Sequence, residues 1–452
     1  MEDKALLAVA VAVLVVVLAK LTPRDLARRH GPLMMLRLGK APTLVVSSPE
    51  AAAWAVMKTH DITFADRYLN ATIAVLTYDG TYGERWRQLR KITVLELLSV
   101  ARVQSFQRIR EEEAARFVQT LAAAAGATVD LTKMISRFVN DTFVRESIGS
   151  RCKYQDEYLE AFDTTVRQTS VLTVADLFPS SRLMQLLGTA PRKALACRDK
   201  ITRILEQIIR EKMEAMDRGD WTEHEGLLGV LLRIQREATL STPLTNDAIV
   251  ALMFDLFGAG SDTSSTTLNW CMTELIRYPA VMARAQAEPQ SNLASAELWY
   301  LKLVIKEALR LHCPLPLLLP RQCRETCQVM GYDIPKGTSV FVNVWAICRD
   351  PNYWDDAEEF RPERFENTNL DYKGTSYEFL PFGSGRRLCP GANLGLANIE
   401  LALASLLYHF DWKLPNGVEP DDVEVWEASG LIGKKNIGLM LQPVTRIAPV
   451  NA

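Results

Sequence analysis

A glycine-rich loop that ends in a cysteine and leads into an apolar helix constrains this chain more than any other feature. Residues 382–391 have the sequence FGSGRRLCPG, and residues 392–410 are apolar at helical spacing. Cys389 is therefore expected at or just before a helix N-terminus. There the helix macrodipole and the unpaired backbone N–H groups favour an anion over a neutral thiol.

Two arginines and two other residues of the loop strengthen this interpretation. Arg386 and Arg387 add positive charge, so we expect a lowered pKa of Cys389 and a thiolate, the form of cysteine that binds metals. Gly385 permits a tight turn or a close approach, and Phe382 supplies a large apolar face. The loop therefore predicts a site for a soft metal on an apolar plane.

Composition favours a single large, mainly helical domain. The chain has 452 residues, of which 48% are hydrophobic, and no low-complexity linker or repeat divides it. A formal net charge of −2 gives no indication of nucleic-acid binding. The eight cysteines lack the spacing of a disulfide framework, which favours a reducing, cytosol-facing environment. Cys323 and Cys327 could suggest zinc, but core packing is the better interpretation since no second ligand pair accompanies them.

The N-terminus carries a membrane signal. Residues 5–19 are uninterruptedly apolar, and basic residues from Lys20 onward follow them. This order predicts an uncleaved membrane anchor over residues 1–21, with the remainder of the chain in the cytosol. A cleaved signal peptide is the alternative, although Glu2 and Asp3 make its leading segment acidic.

Hydrophobic periodicity predicts helices over most of the chain and strands in three places. A strand is expected over residues 42–48, a helix over 49–59, and mostly helix from 84 to 278, with breaks near 126, 178–179, 218–220 and 241–243. Thr245 is expected to cap a long helix that ends near Tyr278. Short antiparallel strands are predicted over residues 329–344, and a second strand-rich region over 416–443.

The long helix contains two closely spaced glycines and an acid–alcohol pair. Gly258 and Gly260 each cost roughly 1 kcal/mol in a helix interior, so they require a reason, either room for a ligand or close packing between helices. Asp262 and Thr263 place an ionisable group and a hydroxyl beside them, which are the parts of a proton relay.

Charged residues elsewhere form two helical pairs. Glu307 and Arg310 are three residues apart on one helix face, and Arg364 could complete a charge-assisted network around the carboxylate. Trp86 and Arg90 are four residues apart, which by itself indicates a basic amphipathic helix with an aromatic anchor.

These motifs, taken in order, resemble those of plant microsomal cytochromes P450 of the A-type, and the resemblance covers residues 24–452. The pattern Phe-x-x-Gly-x-Arg-x-Cys-x-Gly is present at every fixed position. The sequence from Thr63 to Phe382 is also similar to that of family members from grass specialised metabolism. The resemblance implies the cytochrome P450 fold: mainly α, with a large helical catalytic domain over residues 24–452 and small antiparallel β-sheets. An N-terminal membrane-anchor helix would precede it.

The resemblance also implies a cofactor, partners and residue roles. It implies haem b with Cys389 as the iron ligand, Phe382 beside the haem, and Trp86, Arg90, Arg321 and Arg387 on its propionates. The Glu307 network would support the loop, and Asp262 and Thr263 would deliver protons. Electrons would come from an NADPH-dependent cytochrome P450 reductase, and O₂ would be the oxidant. A single-pass anchor would place the chain in the endoplasmic reticulum membrane.

The substrate expected from the resemblance is a hydrophobic small molecule, with terpenoids first. Four segments correspond to pocket-lining regions of the family, and they are mostly apolar and contain no cluster of cations: residues 68–82, 254–259, 315–319 and 430–432. Their apolar members are Leu69, Ile73, Val75, Leu76, Phe257, Leu315, Leu317, Leu431 and Ile432.

Two departures from the family pattern leave other functions open. The hinge after the anchor and the segment at residues 288–295 both look shorter than is usual in the family. One alternative is therefore a non-catalytic or impaired haem protein. The other is an isomerase or dehydratase that needs no O₂, although such relatives generally lose the acid–alcohol pair that this chain keeps.

Overall fold

The structure is a computed structural model that describes residues 27, 29–69, 82–169, 181, 190–220, 225–238, 240, 242–288, 298–428 and 430–448. The predicted anchor over residues 1–21 lies outside this part of the chain. Among the residues described, no helix is both long and apolar enough to cross a bilayer.

Helices make up most of the described chain. In chain order they are α1 (Pro49–Ala51), α2 (Glu84–Ile92), α3 (Val100–Ser105), α4 (Gln107–Ala123), α5 (Leu131–Ile148), α6 (Gln155–Thr169), α7 (Ala190–Asp217), α8 (Gly226–Glu237), α9 (Asn246–Arg277), α10 (Pro279–Ala287), α11 (Trp299–Leu311), α12 (Val344–Ile347) and α13 (Ala392–His409). Helices α1 and α2 continue as π-helices over Ala52–Lys58 and Thr93–Leu97, and short 3₁₀ turns cover Pro362–Phe365, Gly385–Arg387 and Pro420–Asp422.

The strands are short. They are β1 (Leu33–Leu38), β2 (Ala41–Val46), β3 (Asp66–Arg67), β4 (Val129–Asp130), β5 (Arg321–Gln322), β6 (Cys327–Val329), β7 (Tyr332–Ile334), β8 (Ser339–Val342), β9 (Phe410–Lys413) and β10 (Met440–Thr445).

The chain divides into two compact units, which we call the strand-rich unit and the helical unit. The strand-rich unit comprises Met1–Tyr68, Pro316–Glu359 and Asp371–Leu388. Its main sheet has the strand order β1-β2-β8-β5-β3, and β6 pairs with β7 in a separate hairpin. All of these pairings are antiparallel except that of β2 with β8, which is parallel.

The helical unit comprises Leu69–Leu315, Phe360–Leu370 and Cys389–Ala452. Its longest helix, α9, packs against α5, α11 and α13. Thr245 caps α9 because its side-chain oxygen accepts a hydrogen bond from the N–H of Ala248 at 3.2 Å. The core around α9 is aromatic and aliphatic and includes Phe143, Tyr158, Leu205, Leu231 and Phe257. Strands β4, β10 and β9 form the small antiparallel sheet of this unit.

The buried carboxylate of Glu307 is fully paired within the helical unit. Arg310 binds it in bidentate fashion at 2.7 and 2.8 Å, and the Nε of Arg364 donates to it at 2.9 Å. The backbone N–H of Arg361 adds a further bond at 2.8 Å. Glu307 and Arg310 have no exposed side-chain surface. The network predicted from the sequence is therefore confirmed, and it joins α11 to the segment that contains Pro362–Phe365.

Most of the predicted elements are confirmed, and one region is wrong. The strand near residue 42, the capped long helix, the strands between 329 and 344 and the helix after residue 391 are all present. Helices α4, α7 and α8 end close to three of the predicted breaks, and the break at 178–179 lies outside the described residues. The strand-rich region predicted over residues 416–443 is confirmed only at its end, where β10 begins at Met440. Among the described residues of 416–439 the one strand pairing is the Glu427–Lys435 bridge, and the remainder is turns and irregular backbone.

A second buried carboxylate, Glu146 on α5, is held mainly by a neutral group. Asn398 of α13 donates to it at 3.0 Å, while the nearest nitrogen of Arg110 lies at 3.4 Å. Glu146 has no exposed surface. Burial raises the pKa of Glu146 to about 7, and the bonds from Asn398 and Arg110 only partly oppose that shift.

The raised pKa of Glu146 predicts a pH-dependent contribution to stability. The folded state holds this proton more tightly than the unfolded state, where the pKa is near its ordinary value of 4.5. The contribution is therefore complete below the unfolded pKa and is lost as the pH rises through about 7, a total of roughly 3 kcal/mol. In Glu146→Gln, the free energy of unfolding should fall less between about pH 5 and about pH 8, as measured by urea denaturation.

The exposed Glu214 provides a matched control, since Glu214→Gln makes the same chemical change on the surface of α7. Its pH dependence should follow that of the wild type. If Glu146→Gln also followed the wild type, the buried carboxyl would not be the source of the pH dependence.

Candidate functional site

The loop that begins at Phe382 turns tightly around an aspartate of the strand-rich unit. Gly385 has a φ of +68°, which side chains rarely adopt, and a Cβ there would lie 2.5 Å from the carboxylate of Asp61. Asp61 accepts hydrogen bonds from the backbone N–H of Arg386 at 3.1 and 3.2 Å. The predicted need for glycine at position 385 is confirmed, and its reasons are a left-handed turn and a close carboxylate.

Arg321 lies behind this loop as a buried cation with a donor to spare. It is 3% exposed, and its Nη2 donates to the carbonyl of Ser384 at 2.9 Å. Its buried Nη1 has no hydrogen-bond partner and lies 3.6 Å from Asp61, too far for a hydrogen bond. Burial lowers the pKa of Arg321, and Asp61 opposes that shift. A buried donor of this kind calls for an anionic partner.

Arg387 and Phe382 are held by neighbours within the same strand-rich unit. The Nε of Arg387 donates to the carbonyl of Ala65 at 2.6 Å. The ring of Phe382 meets that of Tyr372 edge-on, with 5.5 Å between centroids. Both side chains are half-buried and are fixed by these contacts.

In the helical unit, Cys389 lies three residues before α13, as the sequence predicts. Gly391 is the N-cap of that helix. The N–H groups of Gly391 and Ala392 and the positive charge of Arg90 lower the pKa of the Cys389 thiol, but burial raises it by more. The expected net shift toward thiolate is therefore wrong for the chain alone. The charge that helps comes from Arg90, and deprotonation has to be completed by the metal itself.

Trp86 and Arg90 lie together on α2. The guanidinium of Arg90 is 5.9 Å from the centre of the Trp86 ring, and the ring of Tyr82 also lies 5.0 Å from that ring. Burial lowers the pKa of Arg90, and the Cys389 sulfur opposes that shift. The helical unit thus brings the aromatic–arginine pair and the cysteine into one electrostatic environment.

Helix α9 is buried along most of its length but exposes one narrow stripe. Asp255 and Ala259 are exposed, and Asp262 and Thr263 are half-buried. Because residues 255, 259 and 263 are four apart, they share one face of the helix. Thr263 donates its hydroxyl proton to the carbonyl of Ala259 at 2.6 Å. The predicted acid–alcohol pair therefore lies on the open face of an otherwise buried helix.

The two glycines of α9 have a packing role. A Cβ at Gly260 would lie 2.3 Å from the Phe143 ring, and one at Gly258 would lie 2.2 Å from the Phe162 ring. Of the two reasons considered, close packing is the one that these contacts support. Phe257 also belongs to this aromatic core, against Phe143 and Tyr158.

The structure reveals a partner of Asp262 that the sequence analysis missed. The Nζ of Lys434 lies 2.9 Å from Oδ2 of Asp262. No local pattern could have identified this pair, because 172 positions separate the two residues. Asp61 was missed for the same reason.

The side chains fit the group that the sequence implies. A cysteine at a helix N-terminus with two N–H groups near its sulfur suits a metal that prefers soft ligands. The unpartnered Nη1 of Arg321 suits a carboxylate. Of the other predicted pocket residues, Leu315, Leu431 and Ile432 are half-buried in the helical unit and Leu317 in the strand-rich unit. Residues 70–81 lie outside the described part.

Comparison with known proteins agrees with this chemistry. A family model described as Cytochrome P450 matches residues 18–441. The chain is 70% identical to zealexin A1 synthase of Zea mays, over 95% of this chain and 88% of that protein. It is 64% identical to dolabradiene monooxygenase of Zea mays over the full length of both. That alignment has 507 positions against 452 residues here, so the relative has segments that this chain lacks.

A solved structure of a zebra fish cytochrome P450 with abiraterone shares the fold, with a TM-score of 0.76. It is 26% identical and covers 94% of this chain and 100% of that one. Together with the helices and small sheets described above, this match confirms the fold class predicted from the sequence.

The packing of Gly260 predicts the effect of adding one methyl group. Gly260→Ala should lower the free energy of unfolding by about 1–3 kcal/mol, because the new methyl overlaps the Phe143 ring. In a Phe143→Leu background the same substitution should be less harmful, since the smaller side chain leaves space. Thermal unfolding of the haem-loaded proteins measures this difference. Equal losses of Tm in both backgrounds would show that Phe143 is not the obstacle.

Proposed function

The chain belongs to the cytochrome P450 family, and we propose that it inserts one oxygen atom from O₂ into a terpenoid hydrocarbon, using electrons from NADPH–cytochrome P450 reductase. Its relatives show that the chain is a P450 monooxygenase, an oxidoreductase with haem as its cofactor.

One observation carries the proposal. The helical unit places Asp262 and Thr263 on the one open stripe of α9, and the same unit supplies Cys389 at the start of α13. A haem protein that only bound its cofactor would need the cysteine but not an acid and an alcohol on an open face. The pair therefore favours reduction of O₂, which consumes protons.

The cofactor and the protein have separate roles in the proposed reaction. When bound, the haem supplies the oxygen chemistry at its iron, and the protein supplies the ligand, the orientation and the protons. We assign Cys389 as the iron ligand, with Arg90 and the N–H groups of α13 stabilising its negative charge. Phe382 would lie against the haem as an apolar face.

We assign Arg321 and Arg387 to the propionate groups of the haem. The buried Nη1 of Arg321 makes no hydrogen bond and so suits a carboxylate, and the bond from Nη2 to Ser384 fixes the guanidinium in place. Arg387 is fixed through its Nε, which donates to the carbonyl of Ala65. Trp86 and Arg90 would contribute from α2.

The hydroxyl of Thr263 is oriented to act as an acceptor. Because its proton is donated to Ala259, the lone pairs of Oγ1 point away from the helix backbone and can accept a proton or a water hydrogen. Asp262, half-exposed next to it, would exchange protons with solvent. The two residues would thus transfer protons from solvent to the reaction site, one at a time.

The substrate class rests on the relatives and on the apolar lining. Proteins similar to this chain include a dolabradiene monooxygenase, an ent-cassadiene hydroxylase and an amorpha-4,11-diene 12-monooxygenase. Among the described residues of the expected pocket segments, Leu315, Leu317, Leu431 and Ile432 are apolar and half-buried. Apolar side chains that are open to a ligand suit a hydrocarbon.

We also propose that residues 1–21 anchor the protein in the endoplasmic reticulum membrane with residues 24–452, the catalytic domain, facing the cytosol. The apolar segment and the basic residues that follow it support this arrangement. A membrane location would bring the enzyme together with both a membrane-bound reductase and an apolar substrate.

The proposed function is tested by coexpression of the full chain with a plant NADPH–cytochrome P450 reductase. Microsomes would receive dolabradiene, ent-cassadiene, ent-isokaurene or amorpha-4,11-diene with isotopically labelled O₂. We expect a product that carries one labelled oxygen atom and forms only with NADPH. A product that formed without O₂ and NADPH would indicate an isomerase or dehydratase. If the protein bound haem through a thiolate but consumed NADPH with none of these hydrocarbons, the proposed terpenoid substrate class would be wrong.

The ligand assignment predicts the loss of one spectral signature. Cys389→Ser should abolish the long-wavelength Soret band that thiolate-ligated ferrous haem shows with carbon monoxide, because serine does not supply a thiolate. Cys152→Ser, which changes another half-buried cysteine, should retain it. If Cys389→Ser kept the band, a different residue would ligate the iron.

The relay assignment predicts uncoupling. In Thr263→Ala, product formed per NADPH should fall by about tenfold or more, with the difference released as hydrogen peroxide, since proton delivery typically contributes about 10²–10⁴-fold. Thr263→Ser keeps the hydroxyl and should recover most of the coupling. Thr273→Ala removes a similar backbone-directed hydroxyl elsewhere on α9 and should leave coupling unchanged. Unaltered coupling in Thr263→Ala would remove Thr263 from the relay.

A further inference from the structure

The ion pair between Asp262 and Lys434 connects the proposed relay to a distant part of the chain. The two side chains are 23% and 39% exposed, and their charged atoms are 2.9 Å apart. A pair this exposed contributes little to stability, typically about 0–1 kcal/mol. The pair therefore matters more for the position of the Asp262 carboxylate than for the stability of the fold.

Lys434 belongs to a small hairpin, which we call the C-terminal hairpin and which the structure describes at residues 426–428 and 430–436. Glu427 and Lys435 form a bridge, and the N–H groups of Ala428 and Asn436 donate to the carbonyls of Lys434 and Trp426 at 2.7 and 2.9 Å. These bonds fix the backbone of Lys434 from both sides. The tip of the hairpin carries Leu431 and Ile432.

A second contact attaches the hairpin to α9. The indole N–H of Trp270, itself fully buried, donates to the carbonyl of Gly433 at 2.8 Å. The ring of His312 stacks on Trp270 at 3.8 Å, and Glu274 holds that imidazole at 2.7 Å. Gly433 also donates to the carbonyl of Pro314 at 3.0 Å. The residue immediately before Lys434 is therefore anchored in the core.

Because the backbone at Gly433 is bonded to Trp270, the side chain of Lys434 extends from a fixed point. Trp270 lies two turns after Asp262, roughly 12 Å along the helix axis. The hairpin is fixed at Trp270, and the side chain of Lys434 extends back along α9 to Asp262. The carboxylate is thus held from a rigid support, in the way that a catalytic group is held by neighbours that lock its rotamer.

We propose that Lys434 is a positioning residue for proton delivery: it orients the carboxylate of Asp262 from the C-terminal hairpin and so keeps reduction of O₂ coupled to oxidation of the substrate. The proposal rests on the relay assigned above. It also explains why the hairpin that carries the apolar tip residues is bonded to α9 at two points.

The test compares six full-length proteins, reconstituted with the reductase and supplied with dolabradiene: wild type, Lys434→Met, Lys434→Arg, Asp262→Asn, the Asp262→Asn/Lys434→Met double variant and Lys413→Met. The exposed Lys413 of β9 is the matched control, because its substitution removes the same charge from a strand position opposite Gln442 of β10. Peroxide released per NADPH consumed is measured per mole of thiolate-ligated haem, so misfolded protein does not count.

Lys434→Met should raise peroxide release at least about threefold, because misplacing a catalytic group lowers the productive rate. Lys434→Arg should restore the wild-type value and Lys413→Met should keep it. The double variant should be no worse than Asp262→Asn alone, because Lys434 acts through that carboxylate. As a readout independent of turnover, the Tm shifts of the two single variants should not add in the double variant.

The outcomes separate the inference from the relay on which it depends. If Asp262→Asn left coupling unchanged, both the relay and the role of Lys434 would fail. If Asp262→Asn uncoupled the enzyme and Lys434→Met did not, only the role of Lys434 would fail. Additive effects in the double variant, or a Lys413→Met effect equal to that of Lys434→Met, would also overturn the inference.

Discussion

The helical unit depends on a single helix that is buried on almost every side. Helix α9 packs against α5, α11 and α13, and in its middle part residues 255 and 259 are exposed and residues 262 and 263 are half-buried. Close packing at Gly258 and Gly260 brings the rings of Phe162 and Phe143 against the helix on either side of this stripe. The stripe is open because the remaining faces are filled, so the same packing that stabilises the core also confines the proposed chemistry to one face.

The sequence predicts those parts of the fold that rest on local physics. The cap at Thr245, the apolar period of α13 and the turn at Gly385 each depend on a few neighbouring residues, and each is found where it was expected. The π-helices and the absence of strands from most of residues 416–439 were not predicted. Turn residues and alternating apolar residues look alike in a strand and in a folded loop, and only the neighbours decide between them.

The candidate site was likewise predicted only in part from the sequence. The residue types of Cys389, Asp262 and Thr263 could be identified from motifs, but the charges around them could not. Arg386 and Arg387 are the cations nearest to Cys389 in the sequence, whereas in the structure Arg90 acts on the pKa of Cys389 and burial outweighs its effect. Lys434 and Asp61 reach their partners across long sequence separations. Burial and distant charge are properties of the folded chain, and no window of sequence contains them.

The Glu307 network bears on how such a chain can change over time. Substitution of Glu307 would remove the buried carboxylate that Arg310 and Arg364 share, and breaking a buried ion pair typically costs about 3–5 kcal/mol of a total stability of about 5–15 kcal/mol. Substitution of either arginine alone would leave the other bound to Glu307 and should cost less. Loss of the carboxylate therefore approaches the threshold for folding, whatever the chain catalyses. The presence of this network is therefore explained by folding, whereas the proposed catalysis depends on the open face of α9.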